Sequence, residues 1–289
     1  MFGMKEDVSV VELPKGGEIV LHRLINEDKT TFGLPVVIAH GTLSNAEAVR
    51  DLGLYLAELG YDCWLLEWGG HGKSRAASKR QNFEYPAFHD VPAGINHVLS
   101  ITQQPAVYWL SHSGGGHLPL MYLARFPDER SKFAGMVTLG SQATDAALGF
   151  KNKLSALYIG AISNLFRGVP QRCLPMKTVE GEPTNLLGQW AVWNLKQQWL
   201  GSDGLNYLVA LSDISMPFFM IAGGNDVIAP KSGCFKFYER LGSEDKRWME
   251  CSTSQGFSKD YDHGQLIRGS AAKQEVFPEI SQWLLERNK

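Results

Sequence analysis

Short runs of β-branched, aromatic and leucine residues recur along this chain, each followed by a longer stretch with helical spacing, and that rhythm leaves few folds open. Leu34 to His40 precedes Asn45 to Leu59, Cys63 to Trp68 precedes Phe88 to Ile101, and Val107 to Ser111 precedes Gly115 to Arg125. Phe133 to Leu139 is a further strand candidate. Pro217 to Ala222, Lys231 to Leu241, Arg247 to Cys251 and Ala271 to Arg287 then resume the alternation. The runs are apolar throughout instead of alternating with polar residues, which is how strands buried on both faces of a parallel sheet read. Helices must then cover both faces. Glu18 to Leu24 is expected to add an antiparallel edge, so the sequence predicts an α/β fold with a mostly parallel central sheet.

From about Ala143 to Ile214 the rhythm stops, and amphipathic helical stretches rich in Leu, Trp, Tyr and Phe replace it, punctuated by Gly168-Val-Pro170 and Gly181-Glu-Pro183. The expected organisation is a core domain formed by 1–142 and 215–289, interrupted by a helical cap insertion at 143–214. A chain of 289 residues and 32.1 kDa is long enough to bury such a core. With 28 Lys plus Arg against 30 Asp plus Glu, its formal charge of -2 supplies no long-range field for phosphate backbones or an anionic membrane. Nucleic-acid binding is therefore not expected, and no apolar run approaches the length of a membrane span. The N-terminus, Met1 to Lys15, lacks the basic start and apolar stretch of a secretory signal and reads as mature sequence. Cys63, Cys173, Cys234 and Cys251 are scattered, without a C-x-x-C pair, and read as reduced residues. Together these features lead us to expect a soluble, cytoplasmic monomer or homodimer.

Chemistry is carried by a few strand ends. Val107-Tyr-Trp-Leu-Ser-His-Ser-Gly-Gly-Gly is an apolar strand running into a small-residue turn and a helix, the pattern of a nucleophile elbow with Ser113 at its tip. So tight a turn requires small residues two before and two after the serine, here Ser111 and Gly115. The competing reading is a capping serine at a glycine-rich helix entry. Val37-Ile-Ala-His-Gly-Thr42 ends another strand upstream, where the backbone N–H groups of Thr42 and Gly114 can form an oxyanion hole. Asp226, in Ile221-Ala-Gly-Gly-Asn-Asp-Val, is the candidate acid, with a turn aspartate as the plain alternative and Asp145 as its rival. His263, in Tyr261-Asp-His-Gly264, is the candidate base, giving the chain order serine, acid, histidine. His112 and His117 lie too close to Ser113 in sequence to serve as its base and are assigned to the pocket lining. There is no H-E-x-x-H or Cys/His cluster, so neither a metal nor another cofactor is expected.

Ala39-His-Gly-Thr42, Glu67-Trp-Gly-Gly-His-Gly-Lys-Ser74, Ser111-His-Ser-Gly-Gly115, Gly223-Gly-Asn-Asp226 and Asp262-His-Gly264, in this order, resemble the α/β-hydrolase superfamily. The resemblance covers roughly 18–142 and 215–287. It departs at Ser111, where glycine is usual, and at Glu67 and Gly69, where Asp and Arg are common. It implies the α/β-hydrolase fold and a serine hydrolase of the carboxylesterase or lipase type. A serine at the elbow disfavours the branches that use an aspartate there. Leu154, Leu157, Tyr158, Leu165, Phe166, Trp190, Trp193 and Trp199 supply apolar surface for the cap core and for an acyl pocket, with Trp190 and Trp193 singled out as substrate-binding. The expected partner is thus a small-molecule acyl ester. Thioesterase, acyltransferase, amidase or carbon–carbon hydrolase chemistry on the same serine stays open, as does a non-catalytic binding role. The cap cations Lys151, Lys153, Arg167, Arg172 and Lys177 read as a solvated face, the alternative being attraction of an anionic head group.

Overall fold

The computed structural model describes residues 3–79, 81–174 and 178–288. Eight strands form one sheet: β1 (Met4–Glu12), β2 (Glu18–Asn26), β3 (Val36–Ala39), β4 (Cys63–Glu67), β5 (Val107–His112), β6 (Phe133–Leu139), β7 (Phe218–Gly223) and β8 (Lys246–Cys251), in the order β1-β2-β4-β3-β5-β6-β7-β8. From β4 across to β8 every pairing is parallel, whereas β2 runs antiparallel to β4. The antiparallel expectation for β2 holds, but β2 is not the edge. A further antiparallel strand, β1, covers it in a register from Met4↔Asn26 to Glu12↔Glu18. Lys5, Glu6 and Asp7 keep that outer strand charged, which discourages pairing with another chain.

Alternation along each buried strand divides the core in two. Val37, Ala39, Trp64, Leu66 and Trp109 face one side, where α2 (Val91–Thr102), α3 (His117–Arg125) and α7 (Lys231–Arg240) pack. Val36, Ile38, Cys63, Leu65 and Leu110 face the other, against α1 (Arg50–Leu59) and α8 (Phe277–Arg287). This is the two-sided covering that continuously apolar strands require. Between β6 and β7 lie α4 (Phe150–Phe166), α5 (Leu186–Lys196) and the short α6 (Tyr207–Ala210). The later part of this segment is not set apart from the sheet, since Trp199, Tyr207, Leu211 and Ile214 are buried in the same core cluster as Trp109. No described helix is long and apolar enough to cross a membrane. The four cysteines are free, and Cys63, Cys234 and Cys251 are buried.

Candidate active site

All the parallel strands deliver their C-terminal ends to one rim, and the chemistry-bearing residues follow those ends. β5 breaks at Ser113, whose φ of +53° lies in the left-handed region that non-glycine residues rarely occupy. A residue held there needs its surroundings to enforce the conformation. The glycines after it let the turn pass between the ends of β3 and β6: a Cβ at Gly115 would sit 2.5 Å from the His40 carbonyl oxygen, and one at Gly116 would overlap Ser141 Oγ. Ser141 in turn donates its hydroxyl to the Ser113 carbonyl at 2.8 Å. Ser111 is buried beneath the turn.

β7 ends at Gly223, and the following turn buries Asp226. Its Oδ1 accepts the backbone N–H groups of Ile228 (2.9 Å) and Ala229 (2.7 Å), which leaves Oδ2 to take His263 Nδ1–H at 2.7 Å. A carboxylate can only accept, so the proton of that bond sits on Nδ1, and in the neutral imidazole Nε2 is left as the acceptor. His263 and Ser113 line the same cavity of about 380 Å³, without a direct hydrogen bond between them in this structure. The rival acid is committed elsewhere: Asp145 accepts Lys236 Nζ (2.6 Å), Ser232 Oγ (2.7 Å) and Thr144 Oγ1 (2.8 Å). Burial works to raise its carboxyl pKa, but these partners outweigh it and hold it below the ordinary value.

The two backbone groups assigned to an oxyanion hole lie together, since a Cβ at Gly114 would be 3.3 Å from the Thr42 nitrogen. Gly114 follows Ser113 in a 3₁₀ turn (Ser113–Gly116), whose first N–H groups have no partner inside the turn. A second cavity, of about 220 Å³ and mostly apolar, meets the first at Thr42, Leu43, Ser113, Val227 and Ile228, and runs under α4 and α5 past Ala156, Ile159, Leu187 and Trp190.

The pocket assignments divide. His112 lines the larger cavity and donates Nε2–H to the His263 carbonyl at 2.9 Å, its ring 4.5 Å from that of His263. Burial first, then the neighbouring His263, keeps His112 well below the usual histidine pKa, so it stays neutral. His117 reaches the edge of the apolar cavity, but its Nε2 is spent on the Gln142 carbonyl (2.8 Å), and burial lowers its pKa to about 4. Trp190 lines the apolar cavity, whereas Trp193 does not. Only 2% exposed, Trp193 lies against Phe83, His117 and Trp199 and donates Nε1–H to Leu200 O. It belongs to the core, as does Trp199. Leu157 and Leu165 are outside both cavities and exposed to solvent. Lys177 lies outside the described residues.

The sequence pattern gave no hint of a second histidine–carboxylate pair beside the site. His71 Nε2 bonds Glu182 Oε2 at 3.1 Å, and neither side chain has any exposure. Burial opposes charge on His71, but Glu182, backed by Glu180 and Asp90, outweighs it and raises the His71 pKa above the ordinary value. Glu182 also accepts Leu43 N–H at 3.4 Å, and the Leu43 carbonyl accepts Glu180 N–H at 3.2 Å. Leu43 sits at φ +59°, directly after Thr42. The 180–184 segment therefore clamps the strained residue next to the Thr42 N–H. Partners more than a hundred positions apart leave no local signature, and the only visible clue was the Gly181-Glu-Pro183 turn.

Comparison with known proteins agrees with this architecture. A family model described as alpha/beta hydrolase fold matches residues 35–167. Human lysosomal acid lipase/cholesteryl ester hydrolase is 26% identical over 164 residues, which are 50% of this chain and 41% of that enzyme. The lipase lipl-5 of Caenorhabditis elegans is 30% identical over 127 residues, 37% of this chain and 32% of its own. This chain thus matches well under half the length of these curated relatives. Among solved structures, a thermophilic esterase from Thermogutta terrifontis superposes with a TM-score of 0.67 at 14% identity, covering 98% of this chain and all of that one (100%). A monoacylglycerol lipase from Paleococcus ferrophilus gives 0.64 at 18% identity, over 92% of this chain and 99% of its own. Sheet order, strand-end site and family match define an α/β-hydrolase fold. The chain has the α/β-hydrolase fold, and the model of that family matches its residues 35–167.

Proposed function

We propose that this protein is a serine hydrolase of carboxylic esters that works through Ser113, His263 and Asp226. The observation that carries this reading is the His263 Nδ1–Asp226 Oδ2 bond of 2.7 Å in the cavity that also holds the left-handed Ser113. Nothing in packing requires a buried carboxylate, an oriented imidazole and a strained serine to meet at one rim. With Nδ1–H given to Asp226, His263 Nε2 takes the Ser113 proton as the hydroxyl attacks the acyl carbonyl, and Asp226 stabilises the imidazolium. The serine–histidine bond closes when substrate is seated, as such bonds often do. The N–H groups of Thr42 and Gly114 receive the oxyanion. His263 then protonates the leaving alcohol, and water hydrolyses the acyl-enzyme by the same base.

The two cavities divide the substrate between them. Gly114 lines the apolar cavity under α4 and α5, so the acyl chain enters there, against Ile159, Leu187 and Trp190, beneath the segment we read as a cap. His263 lines the other, so the leaving group departs on that side. Arg268, also at that cavity, favours a leaving group bearing negative charge, and an acyl thioester is the alternative that this cation supports. Hydrolysis of p-nitrophenyl esters from acetate to palmitate, with thiol release from acyl thioesters measured in parallel, tests the proposal. Esters longer than acetate should be preferred and Ser113→Ala should be inert while folded. No turnover of either class would sink it.

A further inference from the structure

The cap helix α4 is built inside out. Its buried positions are the small residues Ala156, Gly160 and Ser163, which let it pack closely on α5: a Cβ at Gly160 would lie 3.0 Å from Ala191 Cβ, and Ser163 Oγ receives Gly188 N–H at 3.0 Å. Its large apolar residues point to solvent. Phe150 is 80% exposed, Leu165 72%, Leu157 53%, Leu154 51% and Tyr158 50%. At helical spacing these fall within an arc of about 100°, a continuous stripe of the width that ordinarily faces a core. Scattered exposed leucines need no explanation, but a contiguous stripe marks a binding surface.

Charge identifies what the stripe meets. From Ala146 to Val179 the chain carries five cations, Lys151, Lys153, Arg167, Arg172 and Lys177, and no Asp or Glu. The formal charge of -2 for the whole chain conceals this local excess. Lys151, Lys153, Arg167 and Arg172 are exposed, and none of them has an ion-pair partner among the described residues. An apolar helix face flanked by unpaired cations complements an anionic lipid surface, with side chains in the acyl boundary and ammonium or guanidinium groups at the phosphates. A groove of about 490 Å³ opens along the same helix and shares Ser155, Ile159 and Leu174 with the apolar cavity at Ser113. A surface on which α4 rests would therefore lie at an entrance to that cavity. Ser113 is already partly exposed, so docking brings the site to its substrate and no lid has to open.

We propose that the outer face of α4 docks this protein peripherally on anionic lipid membranes. Flotation with vesicles reads binding independently of whether Ser113 turns anything over, so this inference and the hydrolase reading fail separately. The protein should float with phosphatidylcholine vesicles containing about one third phosphatidylglycerol at low salt, and much less with pure phosphatidylcholine. The triple variant Phe150→Ser, Leu157→Ser, Leu165→Ser should lose roughly tenfold or more of that binding, and Lys151→Gln with Lys153→Gln should weaken it and flatten its salt dependence. None of these residues lines the cavities at Ser113, so hydrolysis of a soluble ester should be unchanged. Absence of flotation by the wild type, equal binding to neutral vesicles, or undiminished binding by the triple variant would overturn the proposal. So would sedimentation as a dimer that the serine substitutions dissociate, because the stripe would then belong to a second copy of the chain.

Discussion

Two histidine–carboxylate pairs lie at the same rim of the sheet, and their surroundings separate them. His263 bonds Asp226 at 2.7 Å, is partly exposed, and shares a cavity with Ser113. His71 bonds Glu182 at 3.1 Å with both side chains sealed from solvent, and the bond ties the 180–184 segment to the loop after β4. The chemical components are alike. One pair has an open ring nitrogen and the Ser113 hydroxyl within its cavity, which is what the proposed proton transfer requires. The other has no access to a substrate, so it can only hold structure in place, here the loop that carries the Thr42 N–H. A histidine–carboxylate bond is therefore no sign of catalysis until its free nitrogen has somewhere to send a proton.

The largest effect expected from breaking this contrast is at the nucleophile. Ser113→Ala should lower kcat for a p-nitrophenyl ester by on the order of 10⁵-fold or more, with thermal stability retained. Asp226→Asn should follow, costing about 10³- to 10⁴-fold in kcat because the amide no longer enforces the tautomer with Nε2 free, and again leaving the fold intact by circular dichroism. Glu182→Ala should behave the other way round. Removing the carboxylate leaves His71 buried without its partner, at a cost of roughly 3 kcal/mol in urea denaturation, while kcat drops only by about tenfold through the loosened Leu43 and Thr42 loop. If Glu182→Ala instead matched Asp226→Asn in lost turnover with unchanged stability, the assignment of the two pairs would be reversed.

The smallest effect is in the pH dependence of stability. Since the folded-state pKa of His71 is raised, its contribution is complete below the ordinary histidine value of about 6.5 and fades as pH rises through the higher folded value. Urea midpoints of wild type and His71→Gln should accordingly converge as pH is increased from the acid side. A gap that widens with pH would contradict a charged, stabilising His71.

What could be read from sequence follows the same division between local and distant causes. β3 to β7 were legible because strands covered on both faces leave continuous apolar runs; Ser113 and Asp226 stand out as candidates because each follows such a run in glycine-rich sequence, and His263 because it lies after the last strand and before the final helix. β1 was not, since an edge strand needs no continuous apolar run, and Met4–Glu12 mixes Lys5, Glu6, Asp7 and Glu12 among its hydrophobic residues. Trp190 and Trp193 lie one turn apart on α5, and only the packing of that helix separates the cavity wall from the core. The outward stripe of α4 was misplaced for a related reason: periodicity finds an apolar face but not the direction in which it points. The His71–Glu182 clamp needs residues more than a hundred positions apart and has no local pattern at all.

Active-site labelling with a fluorophosphonate, followed by peptide mass spectrometry, tests the central reading most directly. The wild type should take up one phosphonyl group on Ser113, His263→Ala and Asp226→Asn should react far more slowly, and Ser113→Ala should not react. An unlabelled wild type, a label on any other residue, or an undiminished rate in His263→Ala would contradict a serine activated by His263 and Asp226.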